Sequence, residues 1–343
     1  MATRVLIVRF SSIGDIVLTT PVVRAVREQA RAEVHFLTKA AFAPVLADNP
    51  HLHRLWTIRR DVSELAADLA AAGFTHLIDL HANLRTLELR ARLAAAALRR
   101  GRRPPRYAAF RKLNSEKFLL TRLGIDRMPE VHIVDRYLAA ATAALGVTND
   151  GRGLDYFIAP ADRVEPSRHG LPEDYLALVI GAAHATKRLT EEQLTAFCRG
   201  LDYPTVLLGG PGEAATGERI ARAAGPGVHN GCGRFRLGQS ADLVRRARAV
   251  VTHDTGLMHV AAAFRRPILS VWGNTVPELG MYPYLPGQES LERARRREVR
   301  GLACRPCSKI GYPACPRGHF RCIRDQRPAD LVAAARELLS ALR

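Results

Sequence analysis

Residues 251–278 read VTHDTGLMHVAAAFRRPILSVWGNTVPE, and the fold can be argued outward from them. The apolar run Ala249-Val250-Val251 leads into the polar cluster Thr252-His253-Asp254-Thr255-Gly256. A helix of mostly small residues follows, with Leu257, Val260, Ala261, Ala262 and Ala263. A second apolar run, Pro267 to Trp272, then ends in Gly273-Asn274-Thr275. Strand, tight loop, helix and strand in that order make one unit of an open parallel sheet. Ligands bind such sheets at the loops on the carboxyl edge. Asp254, Thr255 and Gly256 stand where the helix begins, so its free N–H groups and the positive end of its dipole suit a phosphate or diphosphate. Asp and Thr are also ordinary N-caps. The crowding of His253, Asp254, Thr255, Gly256 and His259 into seven residues favours the functional reading.

The same alternation runs through the rest of the chain. Strands are expected at 4–10, 33–38, 54–58 and 75–80, and helices at 16–30, 40–47, 62–72, 84–98 and 132–145. Pro21 falls in the first turns of the 16–30 helix, where a missing N–H costs least. Residues 104–130 show no clear period. Prolines, glycine and mixed charge at 159–173 mark a linker. The pattern then restarts with the strands LALVIGA and YPTVLLGG, a helix capped by Ser240, and a last helix opening at Pro328. The chain therefore reads as α/β, with two doubly wound Rossmann-like domains facing a central cleft. The expected spans are 1–160, a linker at 161–173, a second domain at 174–327, and a terminal helix at 328–343.

Composition narrows the classes. The 343 residues are 47% hydrophobic, and no apolar run reaches the roughly 18 residues of a membrane span. The apolar N-terminal stretch meets charge too early for a secretory signal, so a cytoplasmic protein is expected. Lys and Arg exceed Asp and Glu by 51 − 33 = 18. Much of the surplus is arginine, in runs beginning at Arg99 and at Arg293. Such a surface attracts polyanions. Aromatic residues are only 6% and do not alternate with the basic runs, which argues against single-strand stacking platforms.

Other polar loops stand at strand ends. Ser11-Ser12-Ile13-Gly14-Asp15 follows the first strand, where Asp15 is either an N-cap or a carboxylate placed to take a proton. Asp79-Leu80-His81-Ala82-Asn83-Leu84-Arg85 ends the fourth, where His81, Asn83 and Arg85 could meet hydroxyls or phosphate, or only cap a helix. Thr186 and Lys187 follow a later strand, where a lysine can neutralise a leaving diphosphate. Gly210-Pro211-Gly212-Glu213 has dinucleotide-like spacing, but its proline stiffens the turn and no acidic residue follows at the ribose distance. Cys304, Cys307, Cys315 and Cys322 cluster around His319. Metal is favoured over disulfides in a cytosolic chain, but the spacing leaves zinc, free thiols and redox bridges open. Cys198 and Cys232 read as core.

These segments together resemble the ADP-heptose:lipopolysaccharide heptosyltransferase family, glycosyltransferases of the GT-B fold. The likeness lies in D-T-G-x-x-H at Asp254–His259 followed by W-G-x-T, and in S-S-x-G-D at Ser11–Asp15. It continues in Lys187-Arg188-Leu189-Thr190-Glu191-Glu192, with leucine where tryptophan is frequent, in L-G-G-P-x-E ending at Glu213, and in C-x-x-C…G-H-x-x-C. The resemblance implies an inverting transfer of heptose from ADP-heptose to a lipopolysaccharide core acceptor, with no cofactor and no metal. Asp15 would be the catalytic base. Thr186, Lys187, Glu213, Asp254, Thr255, Gly256 and His259 would bind the donor, and Ser11, Ser12, His81, Asn83 and Arg85 the acceptor. A monomer meeting a phosphorylated glycolipid, with peripheral contact at the inner membrane surface, completes the expectation. A family member with another nucleotide sugar or acceptor is the alternative. A basic nucleic-acid-binding protein, or an NAD-dependent oxidoreductase lacking its fingerprint, would leave these motifs unexplained.

Overall fold

The computed structural model describes residues 3–287 and 289–341. The chain divides into two compact units. The N-terminal unit holds residues 1–112 and 131–157, and the C-terminal unit holds 113–130 and 158–343.

The N-terminal unit opens with β1 (Arg4–Val8), α1 (Ile13–Val17), α2 (Thr20–Glu28), β2 (Glu33–Lys39) and β3 (Arg54–Ile58). It continues with α3 (Ala66–Ala72), β4 (His76–Asp79), α4 (Leu84–Arg99) and β5 (Arg106–Ala109). The strands form one parallel sheet in the order β3-β2-β1-β4-β5. Val5, Leu6, Ile7 and Val8 are fully buried, the expected state of a central parallel strand covered on both faces. Because β1 lies between β2 and β4, the loops after β1 and β4 sit side by side at the carboxyl edge.

Three local expectations change. The 16–30 helix is two helices, and the first begins at Ile13, before Asp15. The Thr19 and Thr20 hydroxyls donate to the Ile16 and Val17 carbonyls at the break, next to Pro21, which has no N–H to continue the ladder. Residues 40–45 wind as a 3₁₀ turn around Pro44. The unassigned 104–130 region contains β5 and then α5 (Asn114–Phe118), whose segment belongs to the C-terminal unit, where Leu120 and Met128 pack on Val276 and Leu279. The N-terminal unit closes with α6 (Ile133–Leu145), capped by His132.

The C-terminal unit continues with β6 (Leu176–Val179), α7 (Glu191–Leu201), β7 (Thr205–Leu208), α8 (Ala214–Ala224), β8 (Val228–Asn230) and α9 (Leu237–Arg246). Next come β9 (Ala249–His253), α10 (Gly256–Ala263), β10 (Ile268–Trp272), α11 (Glu289–Arg293) and β11 (Ala294–Glu298). Last are α12 (Arg321–Arg324) and α13 (Pro328–Ser340). Its parallel sheet runs β11-β10-β9-β6-β7-β8, so the loops after β6 and β9 are neighbours. Ser240 lies inside α9 and buried, not at its cap. The helix begins earlier, where Gln239 accepts from the Arg236 N–H. The basic run after Arg293 is largely the edge strand β11, where charged side chains blunt an open edge. Cys198 and Cys232 are buried core, and burial pushes both thiols up to about 12. The terminal-helix span to 343 ends at Ser340, and residues 342 and 343 lie outside those described. No helix among the described residues is long and apolar enough to cross a membrane.

Candidate active site

At the carboxyl edge of the N-terminal sheet, one guanidinium ties two loops together. Arg9 Nε donates to the Ser11 carbonyl at 2.8 Å, and Nη1 donates to the Leu80 carbonyl at 2.7 Å. Nη2 pairs with Asp15 at 2.7 Å. Asp15 is the third residue of α1, with Ser12 at the cap position. Its other oxygen accepts from the Ser12 N–H at 3.1 Å and from the Ser12 hydroxyl at 2.9 Å. Burial pushes the Asp15 carboxyl up, but the Arg9 charge and the Ser12 hydrogen bonds outweigh it and hold it below the ordinary value. Asp15 is thus a half-buried carboxylate, ionised at neutral pH.

Across from it, Asp79 accepts from the backbone N–H groups of His81 at 2.9 Å and Ala82 at 2.6 Å, and from the Tyr107 hydroxyl at 3.0 Å. The His81 ring stands edge-on to Phe10 at 5.1 Å. Burial, then the charges of Arg9 and Lys112, bring His81 down to about 4, so the ring is neutral near pH 7. Asn83 accepts from the Thr86 N–H at 3.1 Å and caps α4, while Arg85 is exposed. Ser11, Ser12, Asp15 and His81 are therefore gathered around Arg9 and Phe10. Asn83 and Arg85 belong to the start of the helix that follows.

In the C-terminal unit the corresponding edge is built around Asp254. Its carboxylate lies 2.6 Å from Lys187 Nζ and accepts from the Thr275 hydroxyl at 3.0 Å, so it does not cap α10. Thr255 holds the cap position with extended backbone. Three loops, after β6, β9 and β10, thus meet on one carboxylate. The Thr186 hydroxyl is buried, donating to the Tyr312 carbonyl at 3.1 Å and accepting from the Tyr312 N–H at 2.8 Å. Gly273 is required here, since a Cβ would stand 2.3 Å from the Thr186 carbonyl. Arg305 braces the same turn, donating to Gly273 O at 2.6 Å and Thr275 O at 2.9 Å while pairing with buried Glu298 at 2.8 Å. Gly256 opens α10, and His259 is buried in the helix's second turn. His253 Nε2 accepts from the Leu189 N–H at 3.0 Å, and burial lowers its pKa to about 4.

Beside this cluster, Glu213 accepts from the Gly210 N–H at 2.9 Å and pairs with Arg188 at 3.4 Å. Both border a cavity of about 330 Å³ whose walls include Ile180, Leu189, Leu194 and Ile323. Apolar walls with a few placed polar groups suit a flat, partly polar ring system.

Arg9, Arg305 and Tyr312 lie outside the sequence motifs, and Thr275 enters them only as the last residue of W-G-x-T, with no role given to it. The first two look like ordinary members of an arginine-rich chain, and their partners are distant in sequence. Among the described residues, no cysteine is in a disulfide. Cys304 Sγ lies 3.6 Å from His319 Nε2, and burial pushes Cys322 up to about 11. Among the described residues, Glu33, His35 and His53 are the one trio of metal-ligand side chains that lie close together. Trp56 Nε1 donates to His35 Nδ1 at 2.9 Å, so the neutral ring carries its proton on Nε2, which faces Glu33 at 2.9 Å. That nitrogen is occupied, and the trio reads as a structural relay.

Two parallel doubly wound sheets, each with a polar cluster on its carboxyl edge, define a GT-B glycosyltransferase fold. The chain belongs to glycosyltransferase family 9 (heptosyltransferase), whose family model matches residues 78–297. It is similar to lipooligosaccharide heptosyltransferase 2 of Haemophilus influenzae, with 36% identity over 80 residues. That match spans 22% of this chain and only 23% of the relative. In fold it resembles a glycosyl transferase of family 9 from Veillonella parvula, with TM-score 0.78, 23% identity, and 98% and 97% of the two chains covered. It also resembles the E. coli ADP-heptose lps heptosyltransferase II, with TM-score 0.69, 18% identity, and 98% and 99% covered.

Proposed function

We propose that this enzyme transfers a heptose from ADP-heptose to a lipopolysaccharide core acceptor, with inversion at the anomeric carbon. The observation that carries the reading is the convergence of Lys187, Asp254 and Thr275 at the start of α10. Lys187 has three donors, so it can keep Asp254 and still bind a diphosphate oxygen. The first N–H groups of α10, at Thr255 and Gly256, add a dipole aimed at the same charge. Asp254 cannot face the diphosphate, because like charges repel. It holds sugar hydroxyls instead, with His259 behind it. The nucleoside lies in the cavity beside Arg188, with Glu213 on its ribose, and Thr186 keeps the lysine loop in place through Tyr312.

The acceptor is held by the N-terminal unit, at Ser11, Ser12 and His81, with Asn83 and Arg85 at the start of α4. The acceptor oxygen attacks the anomeric carbon from the face opposite the nucleotide as its proton passes to Asp15. The carbon–oxygen bond to ADP breaks in the same displacement, and Lys187 with the helix N-terminus takes the departing charge, so no metal is needed. The enzyme works as a cytoplasmic monomer on a phosphorylated, membrane-anchored glycolipid.

A panel of nucleotide sugars read by melting shift tests the donor. ADP-heptose is expected to give the largest shift, followed by transfer to a heptose-deficient core oligosaccharide. A larger shift with a UDP- or GDP-sugar would assign a different donor.

A further inference from the structure

We propose that the outward face of α4 is a docking surface that seats the N-terminal unit on an anionic lipid bilayer. This helix packs on its own unit through Thr86, Leu89, Leu93 and Ala96, all buried. A helix that only covers a sheet carries polar residues on its other side. On α4 the other side carries Leu84, Leu87, Ala91, Ala95 and Leu98, at successive spacings of three or four residues. Leu84, Leu87 and Leu98 are 84%, 54% and 64% exposed, and both alanines are exposed as well. At about 1.5 Å per residue the stripe runs about 21 Å along the helix. Single exposed leucines need no explanation, but an aligned row of them marks an interaction surface.

The charges beside the stripe select the partner. Residues 84–103 contain seven arginines against Glu88 alone, and Glu88 is paired with Arg92 at 2.7 Å. Arg85, Arg92 and Arg99 recur every seven residues and so line one border of the apolar row. Arg90 stands on the other side, 4.1 Å from the centre of the Tyr107 ring. Between α3 and α4, Arg92, Arg99 and Arg100 rim a groove of about 400 Å³ floored by alanines. An apolar row bordered by arginines is the pattern of a helix lying in the headgroup plane, with leucines among the acyl chains and guanidiniums on lipid phosphates. A second copy of the chain fits less well, because a two-fold contact along this row would face arginines with arginines. The helix starts directly after His81 and Asn83, so docking would bring that loop to headgroup level.

The test uses the full chain with no nucleotide and no acceptor, so its outcome is independent of the proposed transfer reaction. Co-sedimentation is measured with vesicles of phosphatidylcholine alone and of equal parts phosphatidylcholine and phosphatidylglycerol. The wild type is expected to bind the mixed vesicles at least about tenfold more strongly, with binding that weakens as salt rises. Leu87→Glu/Leu98→Glu should lower binding to the mixed vesicles by at least about tenfold. Arg92→Gln/Arg99→Gln should remove the preference for the anionic lipid. Unchanged ADP affinity and melting temperature in both variants would show that the fold is intact. Undiminished vesicle binding by the leucine variant, or no binding by the wild type, would overturn the proposal. So would a wild-type dimer in sedimentation that the leucine variant dissolves, since the stripe would then cover a second copy.

Discussion

Asp15 and Asp254 occupy comparable places in the two units, each at the carboxyl edge of a parallel sheet and each paired with a cation. Their surroundings differ. Asp15 lies in the first turn of α1, near the positive end of the helix, and is held by Arg9 and by two hydrogen bonds from Ser12. Asp254 follows β9 and is held by a lysine and a hydroxyl that come from two other loops. The first arrangement fixes one carboxylate in one ionisation state. The second gathers three loops on a shared centre. A fixed, ionised carboxylate suits proton transfer, whereas a shared centre suits shaping a pocket.

The sharpest way to break this contrast is to neutralise each aspartate. Asp15→Asn keeps the size but cannot take a proton, so kcat should fall by about 10²–10⁴-fold, with donor affinity by calorimetry unchanged. Full turnover in that variant would reduce Asp15 to a capping residue. Asp254→Asn should weaken binding of intact ADP-heptose by about ten- to a hundredfold, the worth of a hydrogen bond to a charged group. ADP alone should bind nearly as before, and an equal loss for both ligands would put Asp254 against the diphosphate.

Arg9→Gln sharpens the same comparison at the level of ionisation. With the guanidinium gone, burial dominates the carboxyl and raises its pKa. The acid limb of the kcat/KM profile should then move up by about 1–3 pH units, the usual effect of one close charge. In the wild type the folded pKa lies below the unfolded one. Ionised Asp15 therefore stabilises the fold above the unfolded value, and this contribution is lost as pH falls through the folded value. The variant should accordingly denature at higher pH on acidification. The smallest effect is expected from a chelator. If Lys187 and the α10 N-terminus carry the leaving group's charge, turnover after exhaustive chelation should equal that of untreated enzyme, and a loss restored by added metal would show that they do not suffice.

Much of this was legible in residue order. Asp15, Lys187 and Asp254 all stand in polar loops that follow apolar runs, and a parallel sheet places such loops at its ligand edge. Element limits that depend on packing are not legible in residue order. Ser240 looks like a cap but is interior to α9, since the helix starts where Gln239 accepts from the Arg236 N–H. The 104–130 region lacks a period because its pieces serve different units: β5 completes one sheet, and Leu120 packs in the other unit.

The sequence by itself determined the two parallel sheets and the loops at their edges, because alternating apolar runs and amphipathic helices can bury their faces in few other ways. Tertiary structure alone decided which side chain serves which carboxylate. Arg9 is one of many arginines until β1 and β4 lie side by side and bring the Leu80 carbonyl to its guanidinium. Lys187 and Asp254 stand 67 residues apart and meet because β6 pairs with β9. Arg305 becomes the brace of Gly273 and Thr275 only when the chain returns from β11 to that turn. Hydrophobic patterning acts locally along the chain, but a hydrogen bond needs its two atoms within about 3 Å, and only the packed sheets set those distances.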